Sequence, residues 1–200
     1  IANPNQPIEV MLNLNQLKEI CKITKKLKCL FVVDEAYYHF NNTTAQNLIK
    51  NYNNLIVVRT FSKAFGLAGL RVGYTLSNEK NIKYLKSIKP IYEINSVNIQ
   101  IILFFLKNIQ IMKNYVKEVN ISRKYLTKVF TNLKCKVYGK YSNTVLIEFP
   151  STKIAENISK VLFKKKFIVR YMILNNKGFI RLTLSGKKIM RECLDVIKNN

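Results

Sequence analysis

Two hundred residues with 48% apolar side chains suit one large domain or two small ones and allow a buried core. The most apolar segment, Ile99 to Leu106, runs into Lys107 and falls far short of the roughly 18 residues a membrane helix needs. The net charge of +23 comes mostly from lysines spread among asparagines and isoleucines, without the clustered arginines of a nucleic-acid footprint, so the basic surface is expected to steer small anions.

The chain opens on Ala2-Asn3-Pro4-Asn5-Gln6-Pro7, which is turn chemistry, because each proline biases its predecessor away from the helical region. Asn13 followed by Gln16 predicts a capping box, and Leu14, Leu17, Ile20, Cys21 and Leu27 follow as a helical stripe. Leu30 to Val33 is a continuous apolar run ending at Asp34 and reads as a strand buried on both faces. A short helix is expected near Thr44 to Asn51, then a second buried strand at Leu55 to Val58. This alternation predicts a parallel α/β sheet.

A glycine-bearing turn spans Phe61 to Gly69, and Leu70 to Leu76 reads as a third strand. From Val97 to about Leu133 the pattern is helical, long enough to bridge two domains. The texture then changes. Val145, Ile147 and Phe149 alternate, Lys153 to Lys164 looks helical, Phe167 to Val169 and Ile180 to Leu184 look like strands, and Ser185 is placed to cap a last helix ending near Lys198. The division expected is residues 1–106 as part of a large domain and 107–200 as a small α+β domain, with the 97–133 helix bridging them.

Ligands of open parallel sheets bind beyond the carboxyl ends of the strands. Asp34 ends the first buried strand, with Tyr37 three residues on; Ser62 and Lys63 follow the second; Arg71 lies eight residues beyond Lys63. A carboxylate, a phenol, a hydroxyl, an amine and a guanidinium on one edge exceed what a core requires. Cys21, Cys29, Cys135 and Cys193 have no metal-ligand spacing, so reduced thiols and no metal are expected. Glu35 is read as a structural partner and His39 as a packing residue; Arg59 and Thr60 are open between structural support and supporting the site.

Val32-Val33-Asp34-Glu35-Ala36-Tyr37, the run Ser62-Lys63-Ala64-Phe65-Gly66-Leu67-Ala68-Gly69-Leu70-Arg71 and the opening Asn-Pro-Asn-X-Pro resemble three successive signatures of fold-type I aminotransferases of class II, on the histidinol-phosphate aminotransferase branch. Phe167 to Arg170 and Ile180 to Leu184 resemble the substrate-binding end of the same enzymes. The resemblance implies the C-terminal portion of a pyridoxal-phosphate transferase, with part of the mainly parallel large-domain sheet, its flanking helices and the small domain. It implies Lys63 as the Schiff-base lysine and proton carrier, Asp34 facing the pyridine nitrogen, Tyr37 and Gln6 donating to the cofactor's phenolic oxygen, and Ser62 with Arg71 on its phosphate. Arg181 resembles the substrate-anion arginine, and Arg170 the second anion-binding arginine of that branch.

One departure stands out: where the family reads Asn-Pro-Thr-Gly, this chain has Gln6-Pro7-Ile8-Glu9. The activity implied is amino transfer from a donor such as glutamate to an oxo acceptor bearing phosphate or carboxylate, imidazole-acetol phosphate first, by a cytoplasmic enzyme that is a homodimer when full length and needs no nucleic acid or membrane. The isolated 200-residue piece is expected to be inactive. The alternatives are aromatic, cell-surface-sugar or secondary-pathway aminotransferases, a threonine-phosphate decarboxylase-like enzyme, a non-catalytic fragment that retains the fold, and a basic nucleic-acid-binding domain.

Overall fold

The computed structural model describes residues 1–198, which form two compact units. Residues 1–6 and 10–113 make the first; residues Pro7–Glu9 and the chain from Asn114 onward make the second.

In the first unit, α1 (Leu14–Lys26) begins on the expected capping box: Gln16 N–H donates to the Asn13 side chain and Asn13 N–H to the Gln16 side chain. Two bonds at one helix end satisfy donors that would otherwise be orphaned. The stripe on α1 buries Leu17 and Cys21 against Phe31 and Val33 of β1 (Phe31–Asp34) and Leu55 and Val57 of β2 (Leu55–Thr60), closed by Leu48 and Tyr52. β1 and β2 are parallel, with Asp34 opposite Val58. The next strand, β3 (Gly73–Ser77), pairs antiparallel with β2 and starts three residues later than expected, because Leu70 to Val72 still belong to the loop. β1 also departs from expectation: Phe31 and Val33 are buried, while Val32 and Asp34 are exposed. Only the face packed on α1 is covered among the described residues. The helix expected over 44–51 is a single turn at Gln46–Leu48, and a short α2 (Tyr38–Asn41) precedes it.

After β3, Asn78 caps α3 (Glu79–Ile88), a helix that was not expected and that has no buried residue among the described ones. The single helix expected over 97–133 is two, α4 (Ser96–Lys107) and α5 (Gln110–Asn132). The break has a local cause. Asn108 turns its side chain back to the Phe104 carbonyl at 2.9 Å while its backbone leaves the helical region at φ −110°, ψ 46°.

The second unit is built on an antiparallel sheet in the order β4 (Lys136–Tyr138), β5 (Thr144–Glu148), β7 (Lys177–Thr183), β6 (Arg170–Leu174). Val145, Ile147, Ile180 and Leu182 from the sheet, Leu162 from α6 (Thr152–Lys164) and Leu194 from α7 (Lys187–Lys198) are buried, as are Leu126 and Phe130 of α5. β6 begins at Arg170, so the strand expected at Phe167 to Val169 is displaced toward the carboxyl end. The β6–β7 hairpin turns on Asn175 and Asn176, both at positive φ, which suits asparagine. The last helix starts at Lys187, and its first backbone bond runs from Met190 N–H to the Gly186 carbonyl, which gives Gly186 rather than Ser185 the capping place. Among the described residues no helix is long and apolar enough to cross a membrane.

Candidate active site

The carboxyl ends of β1 and β2 lie side by side because the strands are parallel and in register. Asp34 ends β1 with an exposed carboxylate whose Oδ1 accepts the Ala36 N–H at 2.9 Å. The chain start lines this strand end: Asp34 N–H donates to the Ile1 carbonyl and Asn3 N–H to the Asp34 carbonyl. The Asn3 side chain is buried and brackets the Leu12 backbone, accepting from its N–H at 2.7 Å and donating to its carbonyl at 3.1 Å. Asn5 closes the next loop by pairing with Val10, and Gln6 sits half-buried inside it.

β2 runs into the lysine turn. Ser62 N–H donates to Thr60 Oγ1, Gly66 N–H to the Lys63 carbonyl, and Leu67 N–H to the Phe61 carbonyl. Gly66 has φ +71°, a conformation that favours glycine and lets the turn close beneath Lys63. Ala64, Phe61 and Phe65 are buried, with the two rings 5.0 Å apart, while Lys63, between them in sequence, is half-buried. Its Nζ lies 5.6 Å from the centre of the Tyr37 ring, which is itself buried. Gly73 allows the loop's other end to approach: a Cβ there would lie 2.6 Å from the Arg59 carbonyl oxygen. Arg71 stands at that end in the left-handed region at φ 55°, exposed, donating to the Ala68 carbonyl at 3.1 Å. Among the described residues neither Asp34, Lys63 nor Arg71 has an ion-pair partner.

The structure thus brings Lys63, Tyr37, Asp34 and Ser62 to one pair of strand ends, with Arg71 on the same loop. Arg170 and Arg181 belong to the second unit, where they are direct cross-strand partners between β6 and β7. Opposed residues of an antiparallel pair project from the same face with Cβ atoms about 5 Å apart. Neither arginine makes an ion pair among the described residues.

Glu35, next to Asp34, is fully buried and meets Arg59 at 2.9 Å, Thr44 Oγ1 at 2.8 Å and Ala45 N–H at 2.6 Å. The Arg59 guanidinium also donates to Thr44 and Gln46 and stacks 3.6 Å from the Tyr38 ring centre. Arg59 is therefore a structural cation, and Thr60 holds the lysine turn through its hydroxyl. Thr44 and Gln46 were invisible as partners in the sequence, because only the folded loop brings them to Arg59. His39 packs edge-on against Phe65 at 5.2 Å; burial first, and the Arg59 charge second, lower its pKa. All four cysteines are free, and burial raises the pKa of Cys21, Cys135 and Cys193, the last to about 11. Among the described residues no group of three or more His, Cys, Asp or Glu is arranged to hold a metal.

Comparison with known proteins adds independent findings. The family model of class I and II aminotransferases matches residues 1–197. The histidinol-phosphate aminotransferase of Thermoanaerobacter pseudethanolicus is 36% identical over 188 residues, which cover 93% of this chain and 52% of that protein. The chain spans about half the length of the curated relatives it matches. Among solved structures, the histidinol-phosphate aminotransferase of Clostridium acetobutylicum superposes with a TM-score of 0.85 at 24% identity, over 100% of this chain and 62% of that one. The Sinorhizobium meliloti enzyme, in complex with pyridoxal-5'-phosphate, gives 0.81 at 21% identity, over 100% and 57%. These superpositions show a shared α/β fold.

Proposed function

The chain belongs to the class I and II aminotransferase family, and from that premise we propose that it carries the lysine-bearing half of a pyridoxal-phosphate-dependent amino-transfer site. The observation that supports this most is the approach of Lys63 Nζ to the Tyr37 ring, 5.6 Å from its centre, beside the Asp34 strand end. The donor set fits the cofactor: an amine for its aldehyde, a carboxylate for its ring nitrogen, a phenol for its ring oxygen, and a hydroxyl and guanidinium for its phosphate. When bound, pyridoxal phosphate supplies an electron sink that stabilises negative charge at the substrate Cα.

Lys63 would hold the cofactor covalently and would serve as the base that moves the proton at the substrate Cα. Among the described residues the Asp34 carboxylate has no ion-pair partner, so it would be available to accept from a protonated ring nitrogen. Tyr37, held by burial, and Gln6 donate to the ring oxygen. Ser62 and Arg71 receive the phosphate through charge-assisted bonds. The left-handed backbone of Arg71 is uncommon for a residue with a side chain, and a guanidinium needed at that place accounts for it.

Arg170 and Arg181 bind the substrate's anionic groups. Like charges directly opposed across two strands destabilise a sheet, and an anion shared between them offsets that cost. This supports glutamate as donor and a phosphorylated oxo acceptor, imidazole-acetol phosphate, in the manner of the relatives' name. In the complete protein the first unit serves the cofactor-binding domain and the second unit the small domain of a cytoplasmic homodimer. Ile88, Ile91 and Tyr92, exposed by 79%, 88% and 95%, are consistent with a face that the complete assembly covers.

The test is amino transfer from glutamate to imidazole-acetol phosphate by the full-length protein with pyridoxal phosphate. Turnover should vanish in Lys63→Ala, and KM for the phosphorylated acceptor should rise about tenfold or more in Arg170→Gln or Arg181→Gln, the scale of one lost charged hydrogen bond. Release of carbon dioxide without amino transfer, or equal use of the dephosphorylated acceptor, contradicts the proposal.

A further inference from the structure

Glu9 occupies the place where the aminotransferase motif has glycine, and its backbone keeps the left-handed conformation, φ 64°, that glycine would adopt. A side chain there is a local cost, yet Glu9 is only 6% exposed. Residues Pro7–Glu9 belong to the second unit, and within that unit the carboxylate is closely surrounded by donors. Oε2 accepts the backbone N–H groups of Lys140 and Tyr141, both at 2.6 Å. Oε1 accepts from the Ser142 hydroxyl. That hydroxyl is fully buried, accepts the Thr144 N–H at 3.0 Å and lies 3.0 Å from Thr144 Oγ1; its proton goes to Glu9, because an ionised carboxylate can only accept.

Arg123 of α5 completes the arrangement. Its Nη2 donates to the Ser142 carbonyl, while its buried Nε has no hydrogen-bond partner among the described residues. Burial lowers the Arg123 pKa and the Glu9 charge opposes that fall, which ties the two groups electrostatically. Consecutive N–H groups, an aligned hydroxyl and a nearby guanidinium are what a carboxylate receptor requires.

We propose that the Lys140–Ser142 turn, backed by Arg123, is a built carboxylate-binding site whose occupant is the chain's own Glu9 side chain. The receptor offsets the cost of a side chain on a left-handed backbone at position 9. Pro7 follows Gln6 directly, so the anchor also fixes the chain's course after Gln6, a consequence that alone rests on the cofactor role given to Gln6 above.

The site is tested by emptying it and refilling it from solution. Glu9→Gly relieves the backbone and removes the carboxylate, and it should lower the melting temperature by roughly 5 °C, the scale of lost charged hydrogen bonds in a chain of this size. Sodium formate should restore that loss saturably, while sodium chloride at equal ionic strength should not, and formate should leave the parent unchanged. A Glu9→Gly protein that melts at or above the parent, or that responds alike to formate and chloride, overturns the proposal. Should Glu9→Gly fail to fold, amide exchange in the parent decides: slow exchange at Lys140 and Tyr141 is required, and exchange at unprotected rates refutes the site. No cofactor enters these measurements, so they succeed or fail independently of Lys63.

Discussion

Asp34 and Glu35 are adjacent carboxylates at the end of β1, yet one is exposed and the other wholly buried. Glu35 has its partners inside the chain: Arg59, Thr44 and the Ala45 N–H form a closed network, with Arg59 stacked on Tyr38. The Asp34 carboxylate accepts a local N–H from Ala36, and neither it nor Lys63 nor Arg71 has an ion pair among the described residues. The difference separates two uses of charge. A buried ion must be compensated by the protein itself, because the desolvation cost is several kcal/mol. A charge left at a strand end can wait for a ligand.

The largest expected effect breaks the compensated region. Arg59→Ala leaves Glu35 buried without its cation and should cost about 3–5 kcal/mol in urea unfolding, whereas Asp34→Asn should stay within about 0.5 kcal/mol of the parent. Equal losses would erase the distinction. Gly73→Ala comes next. Its Cβ would meet the Arg59 carbonyl at 2.6 Å, so β3 must shift from β2 at the mouth of the lysine loop, at about 1–3 kcal/mol by the same measurement. An unchanged midpoint would mean that the strand edge yields freely.

The smallest effect is in pH. His39 has a lowered folded-state pKa, so the unfolded chain binds its proton more readily. Its contribution is complete above the unfolded value of about 6.5 and is lost as the pH falls through it. His39→Phe should therefore flatten the stability profile between about pH 7 and pH 5. An identical slope in both proteins would place the acid sensitivity elsewhere.

Local chemistry was legible in the sequence. Asn13 and Gln16 form the capping box their spacing demands, and the apolar runs Leu30 to Val33 and Leu55 to Val58 fall in strands that pair in parallel. Glu35 is the structural partner and His39 the packing residue that their setting suggested. What the sequence concealed depended on partners far along the chain or on weak patterns. α3 carries Ile82, Leu85 and Ile88 at helical spacing but buries none of them among the described residues. The Asn108 break required knowing that its side chain would compete with the backbone. Arg59 could not be assigned without Thr44 and Gln46, nor Glu9 without the turn at Lys140–Ser142. The exposed Val32 face of β1 contradicts the apolar run, because hydrophobicity reports a preference for cover and not what supplies it.

The central claim is that Lys63, beside Tyr37 and Asp34, is the covalent attachment point for pyridoxal phosphate. The most direct test is borohydride reduction of the full-length protein after incubation with the cofactor, followed by peptide mass mapping. One adduct on Lys63, formed first among the chain's many lysines and prevented by prior addition of phosphate at high concentration, is the predicted result. Adducts scattered over surface lysines with Lys63 unmodified would contradict it.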